Sequence, residues 1–572
     1  MTNNEPMRES ALLKSTAARD SRNLLAQRLK AREVDGHTLI ARSLQRLGVS
    51  HVYGISGAPI YETHAACAQS GMRVIGVRHQ QAATMMAAAQ NYIAGRLTAV
   101  AILSAGPAIT NTATGILIAR DNGWPLVALG ARRPEGMLGG FQDLDAVPIF
   151  QSITKFIGTV KTASKICPAL EHAVEIAISG RPGPVYLDLA EEILNQKGIA
   201  PQRSEALSAE AGEPNADTIG RAASLLAQAK RPAILIGEAI RWSEPYAELE
   251  ELVDHLDAPF AASPMGRGYV PDDHPRCYNN ARSFLLSTAD AVLLIGAKLD
   301  WTFRFGAEIA PDAKLVQVAI HEDEIDTNVM PKVAIAGDVK KVLQRLLKEI
   351  DCAQSKRESE TADLSWRALL DQKRDESAAK WETLAQQGGP ISPLRLIAEI
   401  RDFIPRDAIC VVDGNVILAA AQHLLPSYFP ASRLTPGNNG CMGVGIPFGI
   451  AAKLSSPARM VIVICGDFAF GLSAMEMETA VRLRIPVIVV VANNDGNGGA
   501  LNEKMYYPKD YVDRVTMFAP DIHYDQMMRT FGGYGEYVDH AEQIKPALAR
   551  AVASGAAACI NVRVNPDSPY PR

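Results

Sequence analysis

Short apolar runs recur along the chain, each closing on a glycine or polar residue and leading into a segment of helical period. A first block holds HVYGISG (51–57), VAILSAGPAITNTATG (100–115), WPLVALG (124–130) and GPVYLDLA (183–190). A second holds RPAILIGEA (231–239), DAVLLIGAKLD (290–300) and KLVQVAI (314–320). A third holds DAICVVDGN (407–415), RMVIVICGD (459–467), IPVIVVVANND (485–495) and AACINVRVNPD (557–567). Apolar runs without polar alternation read as strands covered on both faces, and strands alternating with helices build parallel sheets. The pattern predicts an α/β chain of three doubly wound parallel-sheet domains. A polar join, PQRSEALSAEAGEPNAD (201–217), and a charged helical stretch from about 351 to 390 separate them. The expected domains span 34–200, 215–350 and 390–567, after an N-terminal extension over 1–33. The blocks share no close repeat, which excludes a short-period repeat protein.

Composition narrows the class without naming a function. The 572 residues are 47% hydrophobic and 21% charged, as in soluble globular proteins. A net charge of −5 gives no reason to expect a nucleic acid partner. No window reaches the roughly 18 uninterrupted apolar residues of a membrane span. The eight cysteines are scattered without a CxxC, and several lie in apolar runs such as VIVIC, which reads as reduced core cysteine in a cytoplasmic protein. Residues 1–33 are charged and lack an apolar signal core. Their arginines and serines allow a transit peptide, but their acidic residues favour a helical or disordered extension.

Candidate chemistry concentrates in ICGDFAFGLSAMEMETAVRLRIPVIVVVANNDGNGG (464–499). A buried strand ends at Gly466-Asp467, Ser473 and Glu476 fit a capping box, and a helix runs to about Arg484. Pro486 then opens a strand that ends at Asn493-Asn494. One right-handed βαβ unit places Asp467 and Asn494 on the same carboxyl edge. A carboxylate, an amide oxygen and a loop carbonyl suit a hard cation such as Mg²⁺, and loop amides over 466–471 suit phosphates. A lone Gly-Asp would merely end a strand; the spacing from Asp to Asn-Asn favours a metal-diphosphate site. A second junction, VRHQQ (77–81), sets His79, Gln80 and Gln81 where a strand end passes into a helix.

The 464–499 segment resembles the diphosphate-binding signature of thiamine diphosphate enzymes, with Asp467, Asn494 and the Gly496 carbonyl matching the Mg²⁺ ligands. Within that superfamily the chain is most similar to oxalyl-CoA decarboxylases and 2-hydroxyacyl-CoA lyases, from about 34 to 567. Supporting stretches are YGISGAPI, IGVRHQQAA, SGRPGPVYLDLA, RPAILIGEA, MGRGYVPDDHP, NNGCMGVG, GDFAFG and FGGYGEYV. The resemblance implies pyrimidine-binding, central and diphosphate-binding domains. It also implies active sites shared between chains of a homodimer or homotetramer. Gly466, Asp467, Phe468 and Ala469 would open the phosphate loop, and Gly414 with Asn415 the facing one. Met442 matches the apolar wedge under the cofactor, its alternative being gap-filling core. The Gly440 backbone matches a pyrimidine contact. Gln142 matches a polar residue facing the reacting centre. His79 would donate to a substrate carbonyl or developing alkoxide, with a buried histidine satisfied by the backbone as the equal alternative.

Gln80 departs from the pattern, standing where the superfamily carries a glutamate that shares a proton with the pyrimidine. Glutamine keeps the hydrogen bond and loses the proton exchange, which as general acid/base catalysis is worth roughly 10²–10⁴-fold. Three further expectations follow. Upstream of the wedge, AAAQHLLPSYFPASRLTPGNNG offers Gln422, His423 and one fixed cation, Arg433, where the branch places a basic grip for CoA phosphates. Ala319 stands where a ribose-binding acid is expected, so ADP, FAD and NAD are not expected. Any C-terminal lid after the last strand must be short, leaving 496–514, with Tyr506, Tyr507 and Lys509, as the candidate closure. The expected activity is C–C bond cleavage or formation on a 2-hydroxyacyl, 2-oxo acid or aldehyde substrate, with thiamine diphosphate and Mg²⁺. Whether that carbonyl substrate is a CoA thioester stays open. The alternatives are a 2-hydroxyacyl-CoA lyase or oxalyl-CoA decarboxylase proper, and a cofactor-binding subunit with little catalysis.

Overall fold

The computed structural model describes residues 33–133, 140–200, 214–325, 328–354, 363–508 and 514–571. Nearly all of the expected N-terminal extension and most of the 201–217 join lie outside the described residues, as does Lys509. Three parallel sheets of six, five and six strands form the framework. The first contains β1 (His51–Gly54), β2 (Arg73–Gly76), β3 (Ala99–Leu103), β4 (Leu126–Arg132), β5 (Phe156–Val160) and β6 (Pro184–Ala190). The central sheet contains β7 (Pro232–Ile236), β8 (Phe260–Ala262), β9 (Ala291–Ile295), β10 (Lys314–Ala319) and β11 (Val333–Ala336). The third contains β12 (Ile409–Asp413), β13 (Arg433–Leu434), β14 (Val461–Gly466), β15 (Ile488–Asn493), β16 (Tyr534–Val538) and β17 (Ala558–Arg563). Their orders are β2-β1-β3-β4-β6-β5, β8-β7-β9-β10-β11 and β13-β12-β14-β15-β17-β16. In each sheet the chain starts inside and winds both ways, so the carboxyl edge holds a switch point where ligands are met.

The inner strands are buried end to end, as β3, β9 and β12 are, which is why they read as continuous apolar runs. The charged stretch after the central sheet forms helices Val339–Gln354 and Leu364–Ala385.

The N- and C-terminal domains share one apolar core. Helix α1 (Gln80–Ala94) is buried from Ala82 to Ile93, and its alanines let α2 (Gly445–Ser455) of the C-terminal domain pack closely against it. Trp124 joins them, its ring 4.8 Å from Tyr92 and 5.3 Å from Phe448. His79 caps the start of α1, and Gly95, at φ 67°, ends it. Arg241 of the central domain donates to Tyr92 O and Ile93 O at 3.0 and 2.8 Å, satisfying carbonyls that the helix end leaves open. No described helix is long and apolar enough to cross a membrane. Cys67, Cys167, Cys277, Cys410, Cys441, Cys465 and Cys559 are unbridged.

Candidate active site

The carboxyl edge of the third sheet gathers the residues expected on the diphosphate side. One cleft is lined by Gly414, Asn415, Met442, Gly466, Asp467, Phe468, Ala469, Asn494 and Gly496, every expected cofactor contact except Gly440. Asp467 directly follows β14 as the first residue of the short helix Asp467–Gly471 and is buried. Oδ1 accepts the Phe468 N–H at 2.8 Å, and Oδ2 accepts the Gly496 N–H at 2.9 Å across the βαβ unit. Burial pushes the Asp467 carboxyl up to about 6, against the pull of the Gly496 and Phe468 amides. Gly496 (φ 155°) has no room for a Cβ, which would overlap Thr516 O.

Met442 is half-buried, one side packed on the shared core and the other lining the cleft. It therefore touches both the core and the cleft. Asp413, the last residue of β12, holds its loop: Oδ2 accepts the N–H groups of Gly443 and Gly445 at 3.0 and 2.7 Å. Asp413 Oδ1 is buried with no hydrogen-bond partner, and burial pushes this carboxyl up to about 7. Gly443 (φ 90°) admits no side chain, because a Cβ would press on Leu472. Gly440 sits outside the cleft lining as an exposed left-handed residue closing the turn Gly437–Asn439. Sequence reasoning passed over Asp413, although its place beside Gly414 at a strand end was visible.

The N-terminal candidates form a separate patch, and the cleft lining contains none of them. Gln80 opens α1, and its Oε1 accepts from Asn111 Nδ2 at 3.0 Å. Gln142 adopts a left-handed conformation (φ 60°) against Gly106, where a Cβ would meet its side chain. Both therefore flank the segment 106–111 after β3. His79 is exposed rather than buried, and its Nδ1 accepts the Gln81 N–H at 3.2 Å. With Nδ1 accepting, the neutral ring carries its proton on Nε2 and presents a donor.

Several expectations are corrected. Ser473 and Glu476 form no capping box: Ser473 Oγ is buried without a partner, and helix α3 (Glu476–Arg482) starts after Met475. Glu476 instead reaches the N-terminal domain, where Oε1 accepts the N–H groups of Arg78 and His79. Arg433 is no ligand grip. It is buried, donates to Ser427 Oγ at 3.0 Å and to the carbonyls of Ala421 and Leu425, and burial pulls its guanidinium down to about 9. The tail after β17 does reach the cleft, with Tyr570 OH donating to Asn415 Oδ1 at 3.0 Å. Lys504–Asp567 at 2.6 Å ties this tail to the helix Gly499–Tyr506, on which Tyr506 is exposed. In the central domain Ala319 is buried at the strand end, and nearby Glu324 is paired with Lys298 at 3.1 Å and with Arg181.

Comparison with known proteins places this geometry. Residues 34–149 match the thiamine pyrophosphate enzyme N-terminal TPP binding domain, 219–346 the central domain, and 414–562 the C-terminal TPP binding domain. The chain is 32% identical over 554 residues to 2-hydroxyacyl-CoA lyase 1 of Mus musculus, covering 94% of this chain and 95% of that one. It is 33% identical over 551 residues to the acetolactate synthase large subunit IlvG of Mycobacterium tuberculosis, covering 93% and 96%. Against the oxalyl-CoA decarboxylase of Escherichia coli K12 it is 30% identical over 555 residues, covering 93% and 95%. The chain belongs to the thiamine diphosphate-dependent enzymes, among the relatives that include 2-hydroxyacyl-CoA lyases and oxalyl-CoA decarboxylases.

Proposed function

We propose that this enzyme uses thiamine diphosphate with Mg²⁺ to break or form the C–C bond beside a carbonyl, as a lyase or carboligase. The observation that carries the reading is the convergence of Gly414, Asn415, Met442, Asp467, Asn494 and Gly496 on one cleft. The donors fit the metal: one carboxylate, one side-chain amide and one backbone carbonyl are hard oxygens, and Mg²⁺ fills its remaining positions with phosphate oxygens and water. No cluster of three His, Cys, Asp or Glu competes as a metal site among the described residues. Bound thiamine diphosphate supplies a nucleophilic carbon and an electron sink. Asp467, Asn494 and the Gly496 carbonyl would hold the metal, the 466–469 amides the phosphates, and Met442 the bend between the cofactor's rings.

Gln80, His79 and Gln142 lie outside the cleft formed by their own chain. This separation supports a homo-oligomer in which the N-terminal patch of one copy closes the cleft of another. His79 Nε2–H would donate to the substrate oxygen, and Gln80 would hydrogen-bond the pyrimidine.

One observation favours the CoA thioester alternative. A cavity of about 490 Å³ between the central domain and helix Leu364–Ala385 is lined by Arg267, Arg282, Lys373, Lys380 and His423. Arg267 is paired with Asp272 at 2.7 Å, and Lys380 lies over the Trp381 ring at 4.5 Å. Sequence reasoning sought the phosphate grip in one segment only; the cations Arg267, Arg282, Lys373 and Lys380 come from other elements. They support a substrate with a phosphorylated handle. The test is product analysis of the full-length protein with thiamine diphosphate and Mg²⁺, offered 2-oxo acids, aldehydes and 2-hydroxyacyl-CoA thioesters. Turnover of free acids and aldehydes but not thioesters would remove the CoA alternative; no turnover of any class would overturn the lyase reading.

A further inference from the structure

The segment entering Met442 is gripped by two other domains at once. From the N-terminal domain, Asn122 Oδ1 accepts the Asn438 N–H at 3.1 Å, and Asp121 Oδ2 accepts from Asn439 Nδ2 at 2.7 Å. From the central domain, Trp301 Nε1 donates to Asn438 O at 3.1 Å, and Thr302 Oγ1 donates to Asn438 Oδ1 at 3.4 Å. Asn438 Nδ2 in turn donates to Asp300 Oδ2 at 2.5 Å, and Asp300 Oδ1 accepts the Thr302 N–H at 2.8 Å. Gly437 (φ 64°) has no room for a Cβ, which would overlap Asn122 Oδ1. The backbone N–H, backbone carbonyl and both amide atoms of Asn438 are therefore all engaged, by two domains, four residues before Met442. Downstream, the bonds from Asp413 to Gly443 and Gly445 pin the other side of Met442.

We infer that Asn438 is a positioning residue for the cofactor wedge, and that the loop Asp300–Thr302 couples the central domain to the active cleft through it. The inference rests on reading Met442 as the wedge. The Asn438–Asp300 bond carries the specificity of the clamp, because it is a charge-assisted bond between two domains and has a reciprocal form. With Asn438→Asp alone, two carboxylates face one another at the same spacing. With Asn438→Asp and Asp300→Asn together, the donor and acceptor exchange sides, and an oxygen remains at 300 for the Thr302 N–H.

The experiment titrates thiamine diphosphate with Mg²⁺ into the full-length protein by calorimetry, for the wild type, Asn438→Asp, Asp300→Asn, the double variant and Met442→Ala. The expected result is a loss of about ten-fold in affinity for Asn438→Asp, from the lost charge-assisted bond and the new repulsion, with the double variant returning to within about three-fold of wild type. Affinity unchanged in Asn438→Asp, or not restored in the double variant, overturns the inference. If Asn438→Asp does not fold, Asn438→Ser supplies the same comparison, and wild-type affinity there overturns the inference too. Wild-type affinity in Met442→Ala overturns the wedge reading beneath it. Weakened binding in Met442→Ala beside unchanged binding in Asn438→Asp overturns the inference alone.

Discussion

Glu476 Oε1 accepts the backbone N–H of His79 at 3.0 Å, from the C-terminal domain into the N-terminal one. The same oxygen takes the Arg78 N–H at 2.9 Å, while Oε2 accepts from Thr479 Oγ1 at 2.8 Å. Arg482 adds a bond to Gly76 O at 2.6 Å from the same helix. The start of α1, which presents His79 and Gln80, is therefore fixed by the element that follows the segment 466–471. Burial raises the Glu476 carboxyl, against the pull of the Thr479 hydroxyl and of the Arg78 and His79 amides.

Glu476→Ala removes the acceptor and leaves two backbone donors without it, a loss of about 2–4 kcal/mol at the typical cost of orphaned groups. Glu476→Gln keeps one oxygen for both amides and costs less. Thermal melts should rank wild type, Gln and Ala in that order, and amide exchange at Arg78 and His79 should accelerate most in Ala. Equal exchange in all three would show that Glu476 does not hold this turn.

Asp413 gives a pH signature. Its folded value of about 7 lies above the ordinary carboxyl value of 3.8, so the native state holds a proton that the unfolded chain releases. Its contribution to stability accordingly falls as pH rises from about 4 to about 7, by about 4 kcal/mol in all. Asp413→Asn stays neutral throughout and retains an oxygen for Gly443 and Gly445. The melting temperature of Asp413→Asn minus that of wild type should climb across this window and level off above it. A flat difference would mean that Asp413 does not titrate there.

Asp467 separates fold from cofactor. Asp467→Asn replaces one acceptor oxygen by a donor and loses an amide bond there, which costs the cofactor-free protein about 1 kcal/mol. In the wild type, thiamine diphosphate with Mg²⁺ at a hundred times Kd should stabilise by about 2.7 kcal/mol, and EDTA should reverse that. In Asp467→Asn the ligand-induced rise in melting temperature should vanish. A full rise in the variant would remove Asp467 from the proposed metal set.

The pattern of residues reveals the inner strands and leaves out the edges. In each of the three sheets the strands without a clear apolar run are the two at its margins, except that VRHQQ had marked where β2 ends. Edge strands are paired on one side, so β5 is buried only at Val160 and β13 has two residues; neither needs a continuous apolar run. The site divides similarly. Asp467, Asn494 and Gly496 belong to one βαβ unit, so their spacing along the chain encodes their meeting in space. Asn438 with Asp300, or Glu476 with His79, meet through domain packing, and no local periodicity records such a contact. Glu476 even offered a local alternative, the capping box with Ser473, which the interdomain bonds displaced.

Gln80 stands at the first turn of α1, where the helix dipole favours a negative side chain, and Asn111 Nδ2 already donates to its Oε1. A glutamate of the same shape would accept that bond and be held ionised by both influences. Gln80→Glu should therefore fold as the wild type does and bind thiamine diphosphate with Mg²⁺ equally well. If residue 80 is the proton partner of the pyrimidine, exchange of the cofactor's thiazolium proton should accelerate by roughly 10²–10⁴-fold in this variant. Proton NMR under saturating cofactor reads the exchange directly and needs no substrate. Exchange equal in the wild type and Gln80→Glu, yet faster than in free cofactor, would mean that activation runs through another group, with His79 the first to substitute. Exchange no faster than free cofactor in both proteins would favour the binding subunit over the enzyme, because activation would then be missing with the diphosphate anchor in place.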